Sequence, residues 1–169
     1  PIKALLKAAS IVTVSTPELS KIYSGIARQV KIFPNMLSDR LWTAAPMPRK
    51  HDGFIRALYM GSTTHDADLD MIVGALNSIS VLYPNFRLTV IGVSQNTDKF
   101  RKFSWIEQID PPSKMKPYVN FVPWMREIAG RCDFAIAPLV DNHFNRCKSD
   151  LKILEYSALG LPVVASKLP

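Results

Sequence analysis

Cysteine is scarce in this chain of 169 residues. Only Cys132 and Cys147 occur, which excludes a disulfide framework, and neither stands at metal-ligand spacing from His51, His65 or His143. So little sulfur chemistry fits a reducing compartment, and a cytoplasmic setting is expected. No apolar run is long enough to cross a bilayer, and the residues from Pro1 onward do not read as a secretory leader. No internal repeat or low-complexity tract is present. The strand-like run ending at Met60 is not followed by Gly-x-Gly-x-x-Gly, which argues against a nicotinamide-binding domain. The net charge of +7 comes from 21 basic and 14 acidic residues, but the lysines and arginines are scattered. Without a basic helix or an aromatic-basic ladder, no nucleic-acid partner is expected. The surplus permits a phosphate-bearing ligand, or peripheral contact with an anionic membrane surface.

What is present is an ordinary globular composition, 47% hydrophobic and 21% charged, in a chain long enough to bury a core. Pro1 to Ala9 reads as the end of a helix and Ile11 to Val14 as a short strand. Thr16-Pro17-Glu18 then starts a helix, with a hydroxyl cap and proline at the first helical position. Val30 to Phe33 is a second strand, closed by Pro34-Asn35. Trp42 to Gly53, with Pro46 and Pro48, reads as a hinge or domain boundary. Strands are then expected at Arg56 to Gly61, Arg87 to Gly92, Tyr118 to Val122, Phe134 to Ala137 and Val163 to Ala165. Leu69, Ile72, Val73, Leu76, Ile79 and Tyr83 mark a long helix, and Met125 to Arg131 a shorter one. Lys99 to Ile106 reads as a short helix or a loop. This alternation implies an α/β fold, a Rossmann-like parallel sheet flanked by helices. Both ends read as interior to a larger protein.

The last quarter carries the chemistry. Phe134-Ala-Ile-Ala-Pro138 is a strand, and Ser149 and Asp150 suit the first turn of a helix, where amide protons lack partners. Gly160 supplies a left-handed stop, Pro162 blocks continuation, and Val163-Val-Ala165 resumes as a strand. Leu151, Leu154, Ala158 and Leu159 form an apolar stripe, and Glu155 lies about 40° from Leu151, inside it. A carboxylate so aimed is paired, ligand-bound or frayed to water. A salt bridge with Lys152 and a ligand role are both open on the residues alone.

The run Lys148-Ser-Asp-Leu-Lys-Ile-Leu-Glu-Tyr-Ser-Ala-Leu-Gly-Leu-Pro-Val-Val-Ala-Ser166 resembles the closing motif of the retaining GT-B glycosyltransferases of family 4. The resemblance covers most of the chain and is most specific over 133–166. It implies the C-terminal, nucleotide-sugar-binding half of a GT-B fold over 49–169, preceded by the tail of an acceptor domain and linker over 1–48. It implies that Glu155 binds the ribose hydroxyls of a nucleoside diphosphate sugar. The implied reaction moves a hexose to a hydroxyl acceptor, a glycan or a lipid-linked one, with retention and without a metal or other cofactor. Polysaccharide or glycoconjugate assembly at the inner face of a membrane would suit such an enzyme. The catalytic or sugar-orienting histidine would lie in the missing domain.

Three loops at strand carboxyl ends are then candidate contacts. In Gly61-Ser-Thr-Thr-His-Asp66, Gly61 admits a ligand to the backbone and Ser62 and His65 are candidate phosphate neighbours. Relatives carry an arginine just after this glycine and a lysine soon after. Here Ser62 and the Asp66 to Asp68 region replace that cationic clamp. Pro123 and Trp124 are candidates for the nucleobase, with Trp124 either stacking or packing. In the loop from Leu139 to Ser149, the second glutamate of many relatives is replaced by Cys147, which has no adjacent base to make it a nucleophile. Lys148 and Ser149 replace glycines. Lys148, a cation before a helix N-terminus, is read as a phosphate ligand, with a solvated lysine as the alternative. Asn145 and Asp141 are candidates to hydrogen-bond the sugar. These departures leave a rival reading open, a catalytically degenerate sugar-nucleotide-binding or interaction module.

Overall fold

The computed structural model describes residues 1–49, 51–61, 65–92, 100 and 102–168. In chain order the elements are α1 (Ile2–Ala8), β1 (Val12–Val14), α2 (Pro17–Ser24), β2 (Val30–Ile32), α3 (Asp39–Trp42), β3 (Ile55–Met60) and α4 (Asp66–Leu82). They continue with β4 (Phe86–Ile91), β5 (Ile106–Ile109), α5 (Tyr118–Ala129), β6 (Phe134–Ala137), α6 (His143–Arg146), α7 (Leu151–Ala158) and β7 (Val163–Ala165). Two compact units divide the chain. One takes Pro1–Met36, Asp141–Leu151 and Lys167–Pro169, and the other takes Leu37–Val140 and Lys152–Ser166.

In the first unit β1 and β2 pair in parallel, with Val12 opposite Val30 and Val14 opposite Ile32. The crossover helix α2 starts as its sequence dictates. Thr16 Oγ1 accepts the Leu19 N–H at 3.3 Å, and Pro17 occupies a position whose N–H would have had no partner. The same hydroxyl donates to the Cys147 carbonyl at 3.0 Å, so one threonine both caps the helix and ties down the segment after α6.

The second unit is a five-stranded, wholly parallel sheet in the order β5-β4-β3-β6-β7. The chain winds outward from β3 in both directions, the doubly wound arrangement, and helices cover both faces. Alternation along β3 shows why. Leu58 and Met60 enter a core with Val122, Met125 and Ala129 of α5 and with Tyr156 and Leu159. Ala57 and Tyr59 enter the opposite core with Leu69 and Leu76 of α4. A strand buried on both faces reads as a continuous apolar run, which Ala57-Leu-Tyr-Met60 is. Fully burying a leucine such as Leu58, Leu69 or Leu88 contributes about 1.5–3 kcal/mol. The turn after α7 is closed as expected. Leu161 N–H bonds the Tyr156 carbonyl, Gly160 N–H bonds that of Ser157, and Gly160 sits at φ +74.

Three expectations are corrected. Tyr118-Val-Asn-Phe-Val122 is the first half of α5 and not a strand. Its β-branched and aromatic residues favour extension locally, but Val122, Met125 and Ala129 share one helical face, and burying that face decides the outcome. Pro123 is accommodated inside the helix at the loss of one backbone hydrogen bond. Ile106–Ile109, left outside the expected strands, pairs with β4 from Leu88↔Ile106 to Ile91↔Ile109. It is a half-buried edge strand, so its apolar signal is weak. Trp42, placed in a hinge, is buried in the core beside α5.

Candidate functional site

A crevice opens where the sheet changes direction. β3 and β4 run together over six register pairs, from Ile55↔Phe86 to Met60↔Ile91. β3 and β6 hold only Ala57↔Phe134 and Leu58↔Ala135 before they part. Past that point the Met60 N–H donates instead to the buried Tyr156 hydroxyl at 2.8 Å. The carboxyl ends of parallel strands splay at such a switch point, and helix N-termini converge on the gap.

A cavity of about 330 Å³ occupies this place, a volume within the range of small-molecule sites. Its walls come from the ends of β3 and β4, from His65 at the start of α4, from Pro111 and Phe121, and from Lys152 and Glu155 of α7. Gly92 permits the close approach. It holds φ +69, and a Cβ there would stand 3.0 Å from the Gly61 carbonyl oxygen. Beside it a second cavity, about 560 Å³, shares Gly92, Pro111 and Phe121 and adds Asp110, Lys116 and Tyr118.

Glu155 is the carboxylate of this crevice. Its Oε1 accepts the Tyr118 hydroxyl at 3.0 Å. Burial holds the acid above its ordinary carboxylate value, with the Tyr118 hydrogen bond and the charge of Lys152 acting in the opposite sense. Tyr118 is itself raised, first by burial and then by the Glu155 charge, so it stays a neutral donor. Across the crevice, His65 Nδ1 lies 2.7 Å from Asp68 Oδ2, and Asp68 Oδ1 accepts the Val140 N–H at 2.8 Å. Buried Asp68 thus orients the imidazole and fixes the start of the loop after β6. The arrangement offers an acceptor for hydroxyls at Glu155, a cation for an anion at Lys152, and an imidazole at His65.

The family model described as glycosyl transferases group 1 matches residues 55–169. The chain belongs to the glycosyl transferases of group 1. Solved structures agree on the fold at low identity. The crystal structure of TarM matches at TM-score 0.67 and 9% identity, covering 99% of this chain and 31% of that one. The pneumococcal O-GlcNAc transferase GtfA, solved with UDP and GlcNAc, gives 0.58 and 11%, covering 95% and 31%. WaaG, a glycosyltransferase involved in lipopolysaccharide biosynthesis, gives 0.63 and 17%, covering 90% and 43%. The group 1 chain therefore spans less than half the length of these structural relatives, and its sheet is that of the C-terminal GT-B domain. No curated protein matches its sequence significantly.

The residues expected from sequence divide between the two units. Gly61, His65 and Glu155 line the crevice together. Ser62 lies outside the described residues. Pro123 and Trp124 sit in α5, line neither cavity, and Trp124 packs on the core with its ring centroid 5.6 Å from that of Phe121. Asn145, Lys148 and Ser149 belong to the first unit. There Asn145 is buried, Lys148 Nζ lies 4.9 Å from the Phe144 ring centroid, and Ser149 Oγ accepts Asn35 Nδ2 at 2.6 Å. Asp141 is ion-paired to Arg146, whose hydrogen bond lowers its pKa.

Lys152 enters the site although the sequence suggested only a partner for Glu155. Its spacing of three residues from Glu155, one helical turn, was the available signal. Tyr118, Lys116 and Asp110 went unseen because β5 and the start of α5 were misread. Asp66, Asp68 and Asp70 show an Asp-x-Asp-x-Asp spacing, but alternate residues of a helix diverge by about 200° and Asp68 is committed to His65 and Val140. Among the described residues, no group of three or more His, Cys, Asp or Glu is placed to hold a metal ion. Among the same residues, no helix is long and apolar enough to cross a membrane.

Proposed function

We propose that this chain is the donor half of a retaining, metal-independent hexosyltransferase of family 4, with residues 49–169 binding a nucleoside diphosphate sugar. Residues 1–48 then end the acceptor domain and form the linker. The acceptor would be a hydroxyl of a glycan or lipid-linked glycan, in polysaccharide or glycoconjugate assembly at the cytoplasmic face of a membrane. One observation carries the reading. Glu155 brings a half-buried carboxylate into the switch-point crevice and holds it there by the Tyr118 hydroxyl, as a ribose diol would require. Two vicinal hydroxyls can donate to one carboxylate, and such charge-assisted bonds are worth about 1.5–3 kcal/mol. The crystal structure of a relative with UDP and GlcNAc supports a nucleotide donor.

The chemistry assigned to this half is electrostatic. Strand ends, helix N-termini and cations stabilise the diphosphate as it leaves, and no nucleophile is needed here. Calorimetry of the chain with the diphosphates of uridine, guanosine and adenosine tests the donor assignment. One of them is expected to bind, and Glu155→Gln to weaken it by roughly ten- to a hundredfold. Binding of none of the three, or binding indifferent to Glu155→Gln, would refute the reading. The chain alone is expected to transfer no sugar. A second reading, a catalytically degenerate sugar-nucleotide module, is favoured by Cys147 standing where relatives have a glutamate. Its carbonyl is held by Thr16, and its Sγ donates to the His143 carbonyl at 3.2 Å. Turnover by the longer protein that contains both domains decides between the two.

A further inference from the structure

Tyr59, fully buried near the end of β3, contacts both His65 and Lys152 of the crevice. Its hydroxyl donates to the His65 carbonyl at 3.2 Å, and Lys152 Nζ lies 5.2 Å from its ring centroid. Burial, and after it the charges of Asp68 and Asp66, push the Tyr59 hydroxyl far up, so it remains a neutral donor. His65, the residue that precedes α4, and Lys152 of α7 line the same cavity. The imidazole does not turn freely in it, because Nδ1 meets Asp68 Oδ2 at 2.7 Å and that carboxylate is only 3% exposed. A buried carboxylate at this distance favours the imidazolium. Asp68 of α4 meets the ring, Lys152 and Glu155 of α7 line the cavity with it, and Tyr59 of β3, which feels the charges of Asp68 and Asp66, bonds the His65 carbonyl. Two cations facing one cavity beside the start of a long helix suit a ligand with two anionic groups.

We propose that His65, held by Asp68, and Lys152 together clamp the diphosphate of the donor, and that the clamp weakens as pH rises and the imidazolium is lost. This rests on the crevice being a sugar-nucleotide site. It adds that the cations absent after Gly61 are supplied from the start of α4 and from α7, one of them by a titrating ring. Glu155 gives the opposite pH trend, because protonation of its carboxylate at low pH weakens the ribose contact. The two effects can be separated by comparing nucleosides with nucleoside diphosphates.

The test is calorimetry of the chain with uridine, guanosine and adenosine and with their diphosphates, at about pH 5.5 and about pH 8.5, either side of the ordinary histidine range. The diphosphate that binds is expected to bind at least several-fold tighter at the lower pH. Lys152→Met should weaken it roughly ten- to a hundredfold at both values, leaving the nucleoside unaffected. His65→Gln should weaken it at the lower pH and leave it nearly unchanged at the higher one. Wild type and His65→Gln meet the same ligand at the same pH, so their difference removes the ligand's own titration. Asp68→Asn should move the step to lower pH, and the wild-type profile needs no variant to fold. Diphosphate binding that both variants retain overturns the clamp and leaves the donor site standing. If neither nucleosides nor diphosphates bind, the site reading falls and the clamp with it.

Discussion

The two ends of the five-stranded sheet are built from the same strands and behave as opposites. At the carboxyl ends the strands separate, glycines replace side chains, and His65, Lys152 and Glu155 face one cavity. At the amino ends a groove of similar size, about 340 Å³, is lined by Ile55, Phe86 and Phe134, by Leu76 and Ile79 of α4 and Tyr83 just after it, and by Ile136 and Val164. Among these residues none is charged, and only Tyr83 carries a polar group. Side chains from α4 close one end by apolar packing, while the other end keeps groups whose burial is costly unless something polar meets them. The difference separates stability from binding, and substitutions can test how clean that separation is.

The largest effect is expected at the amino end. Phe86→Ala removes a side chain that is 3% exposed and should cost about 3–5 kcal/mol in chemical denaturation. Nucleotide affinity of the folded protein should not change. A loss of affinity as large as the loss of stability would show that the two ends are coupled.

Glu155→Gln should reverse that pattern. Affinity should fall by about 1.5–3 kcal/mol, with thermal stability at neutral pH unchanged or higher. The sign follows from linkage. The folded carboxyl binds its proton more tightly than the unfolded one. Its contribution to stability therefore declines as pH rises from the ordinary carboxylate value of 4.5 through the raised folded value, and is constant above it. The stability difference between wild type and Glu155→Gln should track this window in melts taken across acidic pH. A variant less stable than wild type at neutral pH would mark Glu155 as a structural group.

Gly92→Ala should affect both properties by a smaller amount. The left-handed backbone costs an alanine about 1–2 kcal/mol, and its Cβ crowds the Gly61 carbonyl at the mouth of the cavity. Melting temperature and affinity should fall together. Tyr118→Phe is expected to be the mildest. It removes the 3.0 Å hydrogen bond that orients Glu155, so affinity should drop by about 0.5–1.5 kcal/mol. The protonation midpoint of Glu155, followed by carboxyl NMR, should rise further because a stabilising donor has gone. An unmoved midpoint would remove Tyr118 from the site.

Legibility from sequence followed the same division between local and distant causes. Glu155 was visible because a charged residue broke an apolar helical stripe next to a Gly-x-Pro turn, both local signals. Buried β3, β4 and β6 were visible because two-sided burial leaves a continuous apolar run, and the more exposed edge strand β7 because Gly160 and Pro162 end the helix before it. Strand β5 was not, since a half-buried edge strand with Glu107 and Gln108 lacks that run. The segment at Tyr118 misled because its local preference for extension lost to the packing of Val122, Met125 and Ala129. That one error placed Pro123 and Trp124 in a loop after a strand and hid Tyr118.

The sequence by itself therefore determined the α/β class, the alternation that makes the sheet parallel, the caps at Thr16 and Gly160, and the carboxylate at Glu155. Each of these is settled within a few residues by side-chain period, φ preference or unpaired amide groups. Only the tertiary structure decided that β3 and β6 part after two register pairs, that Asp68 holds both His65 and the Val140 amide, and that Lys152 reaches the crevice over Tyr59. Those contacts join residues as far apart as 59 and 152. They depend on the order in which strands pair and on which helix faces are buried, and no local period encodes either.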